Sequence, residues 1–159
     1  MKVNEFIENY NSANNKDEYI FNSIIEKYVP YHEKMTDCEM IILSTIKYED
    51  KFKINSPMRF MLFITTLISR YTDIGEDEDL LTVYESLEKN NLIDKIISAI
   101  PQNEYTSYET ILNMELSDYM ENNRSISAIV EGLSLSLENI INNINNVPQD
   151  VSEVAKVEE

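Results

Sequence analysis

The chain has 159 residues, with 29 acidic and 13 basic side chains and a formal net charge of −16. Its length suits one domain that buries about two-thirds of its unfolded surface, and with only two Gly and four Pro it lacks the tight turns of an all-β fold. So acidic a chain is not expected to bind nucleic acid directly, because phosphate contacts need a basic surface.

The charge is unevenly spread. Residues 1–70 carry ten acids and nine bases, a net of −1, whereas residues 71–121 carry thirteen acids against Lys89 and Lys95, a net of −11. A one-sided electrostatic field is the expected result. Cys38 is the single cysteine and cannot form an internal disulfide, which fits a reducing compartment. No apolar stretch follows Met1, so no signal peptide is expected, and nothing approaches the roughly 20 apolar residues of a membrane span.

In chain order, Val3, Phe6, Ile7 and Tyr10 stand at i, i+3, i+4 and i+7 and predict a short amphipathic helix. After the polar break at residues 11–15, Asp17 and Glu18 favour a helix start, since the macrodipole stabilises negative charge there. Ile20, Phe21, Ile24, Ile25 and Tyr28 form the stripe of that second helix, which Pro30 ends. A third helix from about Tyr31 to Ile46 is expected to bury Tyr31, Met35, Cys38, Ile41 and Ile42. The period then changes to two over Ile46-Lys-Tyr48 and Phe52-Lys-Ile54, which reads as a small β-hairpin at 46–54. A loose loop is the alternative, because no Asn-Gly or Asp-Gly turn is present.

The organising element is the next one. Ser56 reads as an N-cap and Pro57 as the first helical residue, and residues 57–71 are apolar nearly all round, as in a helix buried on most sides. Arg59 and Arg70 interrupt it; for Arg70, near the last turn, pairing with an acid is the favoured role. Glu76-Asp-Glu-Asp79 is expected to open a fifth helix carrying Leu80, Leu81, Val83, Tyr84 and Leu87, with Asn90-Asn91 as its C-cap. Leu92, Ile93, Ile96, Ile97 and Ile100 form a sixth, stopped by Pro101. A seventh, roughly Asn103 to Asn122, is expected to bury Tyr105, Tyr108, Leu112, Leu116, Tyr119 and Met120.

A last helix carries Ile126, Val130, Leu133, Leu137, Ile140, Ile144 and Val147 alternately four and three apart, a heptad stripe. Its flanks, Ser134, Ser136 and Asn143, lack the charged pairs that select a coiled-coil partner. Packing against its own domain is the favoured reading, with partner binding or self-association the other. Pro148 closes the helix, and residues 148–159 read as a flexible acidic tail. The predicted fold is therefore an all-α, compact multi-helix bundle around a buried central helix at 57–71, with residues 1–147 as one domain.

The inventory for chemistry is poor. His32 is the only histidine, and Cys38 lies on a different face of the same helix, so no metal site or Cys–His pair is expected. Gly75 precedes the acid run at 76–79 instead of sitting inside it, which fails the register of a calcium-binding loop. There is no Gly-rich phosphate cradle, nucleophile elbow or CxxC. The expectation is a non-enzyme without cofactor or metal. Candidate partner-binding residues are Glu109, Glu115, Asp118 and Glu121 on the acidic seventh helix, and Leu133, Leu137, Ile140 and Ile144 on the last stripe.

The segments Tyr28-Val-Pro-Tyr-His-Glu-Lys34, Ile54-Asn-Ser-Pro-Met-Arg-Phe60, Tyr71-Thr-Asp-Ile74 and Glu121-Asn-Asn-Arg-Ser125 together resemble a group of small acidic all-helical proteins of phages and prophages of low-GC Gram-positive bacteria. The resemblance runs over most of residues 1–147 and carries no catalytic or binding residues. It implies a phage origin and little more; the expected location is the host cytoplasm or the virion. The expected partner is another protein, phage structural or host, or a second copy through the last helix. Two roles follow: a virion-assembly or chaperone-like adaptor, or an acidic inhibitor that mimics nucleic acid toward a host defence or DNA-binding protein.

Overall fold

The computed structural model describes residues 1–48 and 52–145, with side-chain surroundings described except at 47, 48, 52, 123–132 and 139–145. The fold is all-α. Among these residues are seven helices, α1 (Val3–Ser12), α2 (Lys16–Asn22), α3 (Tyr31–Thr45), α4 (Ser56–Tyr71), α5 (Leu80–Lys89), α6 (Ile93–Ala99) and α7 (Gln102–Asn145), and two short strands, β1 (Ile46–Tyr48) and β2 (Phe52–Ile54). The strands pair antiparallel with Ile46 opposite Ile54, which is the predicted hairpin; its turn at 49–51 and the predicted tail at 148–159 lie outside the described residues. No described helix is long and apolar enough to cross a membrane. The contacts of the chain separate it into two units, Met1–Ser117 and Asp118–Glu159.

In the first unit α4 packs against α3, α5 and α6, while α1 packs on α5 and α2, and α2 on α6. Phe63, Ile64, Leu67, Ile68 and Tyr71 of α4 are buried, as predicted for the central helix. Its first turn is not: Met58 and Phe60 are exposed. The cap also lies one residue earlier than predicted. The Asn55 side chain, not that of Ser56, accepts from the Met58 N–H at 3.2 Å, and Pro57 follows in the first turn, where its missing N–H leaves no donor unsatisfied.

The bounds of three helices depart from the sequence reading for identifiable reasons. α2 stops at Asn22 rather than reaching Tyr28. There the Ser23 hydroxyl donates to the Ile20 carbonyl at 2.7 Å, and beyond it Ile25 N–H donates to the Tyr71 carbonyl at 2.9 Å, a tertiary bond in place of a helical one. Only Ile20 of the predicted stripe is buried. α5 begins at Leu80, not Glu76, because Gly75 and Asp77 take φ values of +72° and +62°, which no right-handed helix accommodates. Asp79 is the cap and accepts from the Thr82 N–H at 3.0 Å. Of its predicted core, Val83 and Leu87 are buried, while Leu80 and Leu81 are exposed.

The third departure joins the last two predicted helices into one, α7. Glu121-Asn-Asn-Arg-Ser125 is polar but contains neither Gly nor Pro, and polarity alone does not stop a helix. Tyr108, Ile111 and Leu112 are buried on α7, with Tyr105, Leu116, Tyr119 and Met120 half-buried. At the other end of α5 the predicted cap is present in full. Asn91 sits at φ +53°, and its N–H and that of Leu92 donate to the carbonyls of Glu88 and Leu87 at 2.9 and 3.0 Å, a Schellman closure.

Candidate interaction surface

α3 was expected to bury Tyr31 and Met35, yet both are exposed, and its inward face instead carries Lys34, Cys38, Ile41 and Ile42. Lys34 Nζ lies 2.9 Å from the Glu104 carboxylate, in side chains 4 % and 3 % exposed. The same Glu104 oxygen accepts from the Tyr71 hydroxyl at 2.7 Å and from the Val29 N–H at 3.0 Å. Burial by itself raises the Glu104 carboxyl, and the hydrogen bonds from Tyr71, Lys34 and Val29 more than offset it, so the group titrates below its ordinary value. The charges are paired and the carboxylate is multiply hydrogen-bonded, as a buried ion pair requires.

A second polar set lies alongside. The Arg70 guanidinium holds Asp37 through two bonds of 2.8 and 2.7 Å and Glu33 through one of 2.9 Å, which is the acid pairing predicted for it. Tyr108 donates to Asp37 at 2.7 Å and packs edge-on to Tyr71 at 6.3 Å between ring centroids. Cys38 is fully buried against the Tyr108 backbone, its Sγ 3.7 Å from the carbonyl. Burial, then Asp37 and Glu115, pushes its thiol up to about 12, so it holds almost no nucleophilic thiolate. Among the described residues every buried side-chain polar atom has a partner. These groups tie α3 to α4 and α7.

What they also hold is residues 23–30. Ile25 and Glu26 donate to the Tyr71 carbonyl and Val29 donates to Glu104, so this stretch is fixed through its backbone while apolar side chains in and around it point to solvent. Phe21 is 64 % exposed, Ile25 64 %, Tyr28 62 % and Tyr31 56 %. Four such residues fall within eleven positions, and aromatic side chains are enriched where proteins meet. At Tyr31 the patch adjoins a shallow groove of about 450 Å³, whose walls include Thr106, Thr110, Ile111 and Met114 of α7. Phe21, Ile25 and Tyr28 belong to the predicted stripe of the second helix and Tyr31 to that of the third, so periodicity alone places all four in the core.

The predicted partner-binding residues fall as follows. Glu109 is exposed and Glu115 half-buried in the first unit; Asp118 and Glu121 are exposed in the second. Leu133 and Leu137 are both exposed, and the side chains of Ile140 and Ile144 lie outside the described residues. His32 is exposed. Among the described residues no group of three or more His, Cys, Asp and Glu side chains is placed to hold a metal ion. Comparison with protein-family models, with curated proteins and with solved structures finds no match to this chain.

Proposed function

We propose that the protein works by binding another protein and not by catalysis, and that residues 21–31 are the contact. The observation that carries this reading is the outward display of Phe21, Ile25, Tyr28 and Tyr31 on a backbone pinned from inside. Pre-fixing the backbone lowers the ordering cost of association, and large aromatic anchors supply most of the energy of an interface. The resemblance to small acidic phage proteins gives this reading its setting: an adaptor that holds an apolar partner during virion assembly in the host cytoplasm, its charge of −16 keeping the complex dispersed.

The acidic-inhibitor reading has its own support, in the exposure of Glu76, Asp77, Asp79, Glu85, Glu88, Asp94 and Glu109. The two readings part on salt. An apolar contact holds as ionic strength rises, whereas a carboxylate surface competing for Lys and Arg is screened away. Tagged protein recovered from infected cells is expected to retain a partner at raised salt, and Phe21→Ser/Ile25→Ser/Tyr31→Ser is expected to lose it while unfolding at the same urea concentration. A partner released by salt, and retained by the triple variant, overturns the apolar contact in favour of the acidic one.

A further inference from the structure

The second unit contributes the part of α7 from Asp118 on, and its composition differs from that of the acidic stretch before it. Between residues 123 and 145 the ionisable side chains are Arg124, Glu131 and Glu138, a net of −1 where residues 71–121 carry −11. In the same stretch Ile126, Val130, Leu133, Leu137, Ile140 and Ile144 recur four and three apart, the spacing that keeps one line of a helix turned toward a partner helix. The helix runs through Asn145 without interruption, so the register is continuous along the whole line. Where its side chains are described they are uncovered: Leu133 and Leu137 are each 59 % exposed.

Charge decides what covers them. We infer that this line pairs with the same line on a second copy of the chain. The positions beside it are Ser127, Ile129, Ser134, Ser136, Ile141 and Asn143, and none is charged. Flanking charges are what make a helix pair prefer an unlike partner or reject a like one; here they are missing. Two chains of −16 each repel across their acidic surfaces, and this line is where an identical copy approaches without setting like charges against each other. In the sequence Arg124, Glu131 and Glu138 recur seven apart, at heptad positions outside the flanking ones. Leu135, 61 % exposed, lies about 200° around the helix from Leu133 and stays outside the pair. None of this uses the patch at 21–31, and it stands or falls separately from the function proposed above.

The test is the mass of the full chain in solution, by sedimentation equilibrium or light scattering, at about 10–100 μM protein. The wild type is expected at twice the 18.6 kDa chain mass or a higher multiple, and salt raised from about 0.05 to 0.5 M should not dissociate it, since screening only weakens repulsion between the copies. Leu133→Glu/Leu137→Glu is expected at 18.6 kDa, with the near-ultraviolet tyrosine signal of the first unit unchanged. Leu135→Glu is expected to keep the wild-type mass. A wild type of single-chain mass throughout overturns the inference, as does a double variant that stays associated. Dissociation by Leu135→Glu as complete as by the double change overturns it too, because the contact would then not follow this register.

Discussion

Lys34 Nζ and one oxygen of Glu104 meet at 2.9 Å inside the first unit, with both side chains all but sealed from water. They are 70 positions apart in sequence, and through them the start of α3 is locked to the start of α7. Removing either partner strands a buried charge, which costs about 3–5 kcal/mol. Glu104→Leu and Lys34→Met are each expected to lose stability on that scale in urea unfolding. The double variant should lose clearly less than the sum, because neither charge is then left alone.

The same carboxyl gives acid sensitivity a defined sign. Glu104 titrates below its ordinary value in the folded chain, so the unfolded chain binds the proton more readily, and stability rises with pH across that window. The stabilisation is complete above the ordinary carboxylate range and is lost as pH falls through the depressed value. The urea midpoint measured from about pH 6 down to pH 3 should fall with acid, and Glu104→Gln should flatten the part of the slope that belongs to this group.

Cys38 offers a probe of opening. With its thiol pushed up to about 12 and no exposed surface, alkylation at mildly alkaline pH should be on the order of a thousandfold slower in the folded protein than in urea. Labelling at the unfolded rate under native conditions would mean that the contact between α3 and α7 opens freely.

Gly75 is a point where one methyl group matters. A Cβ there would stand 2.5 Å from Val83 Cγ2, at a φ of +72°. Left-handed backbone costs a non-glycine residue about 1–2 kcal/mol, and overpacking a buried valine adds about 1–3 kcal/mol. Gly75→Ala is expected to fall within the sum of those ranges. Adding Val83→Ala should relieve the overpacking but not the backbone strain, so the pair will be less than additive in denaturant.

The start of α4 distinguishes two adjacent residues. Asn55→Ala removes the side chain that accepts from Met58 N–H and should cost about 1 kcal/mol, whereas Ser56→Ala should change stability by no more than a few tenths. Thermal or urea midpoints of the two variants decide between the caps.

Periodicity made the fold class legible, because Phe63, Ile64, Leu67 and Ile68 leave a helix little choice but to be central. It also placed the hairpin, α6, and the cap at Asn90-Asn91. It failed where a side chain's hydrophobicity and its location disagree. Tyr31 and Met35 fit the α3 stripe as well as Cys38 does, yet Lys34 is buried in their stead. Nothing in a single sequence says that Glu104 waits 70 residues on to receive it. The end of α2 was hidden for a similar reason, since the Tyr71 carbonyl that takes the Ile25 N–H is a partner only after folding. The same periodicity therefore predicts Phe21, Ile25, Tyr28 and Tyr31 as interior, and all four are exposed.

Residues 23–30 are held at Ile25, Glu26 and Val29 by main-chain N–H groups, donors that any residue except proline supplies. The outward side chain at 25 takes no part in that attachment, whereas the Tyr28 ring stands 5.6 Å from Lys34 Nζ. Substitution at 25 can therefore rewrite what this ribbon shows to the outside without loosening how it is tied down.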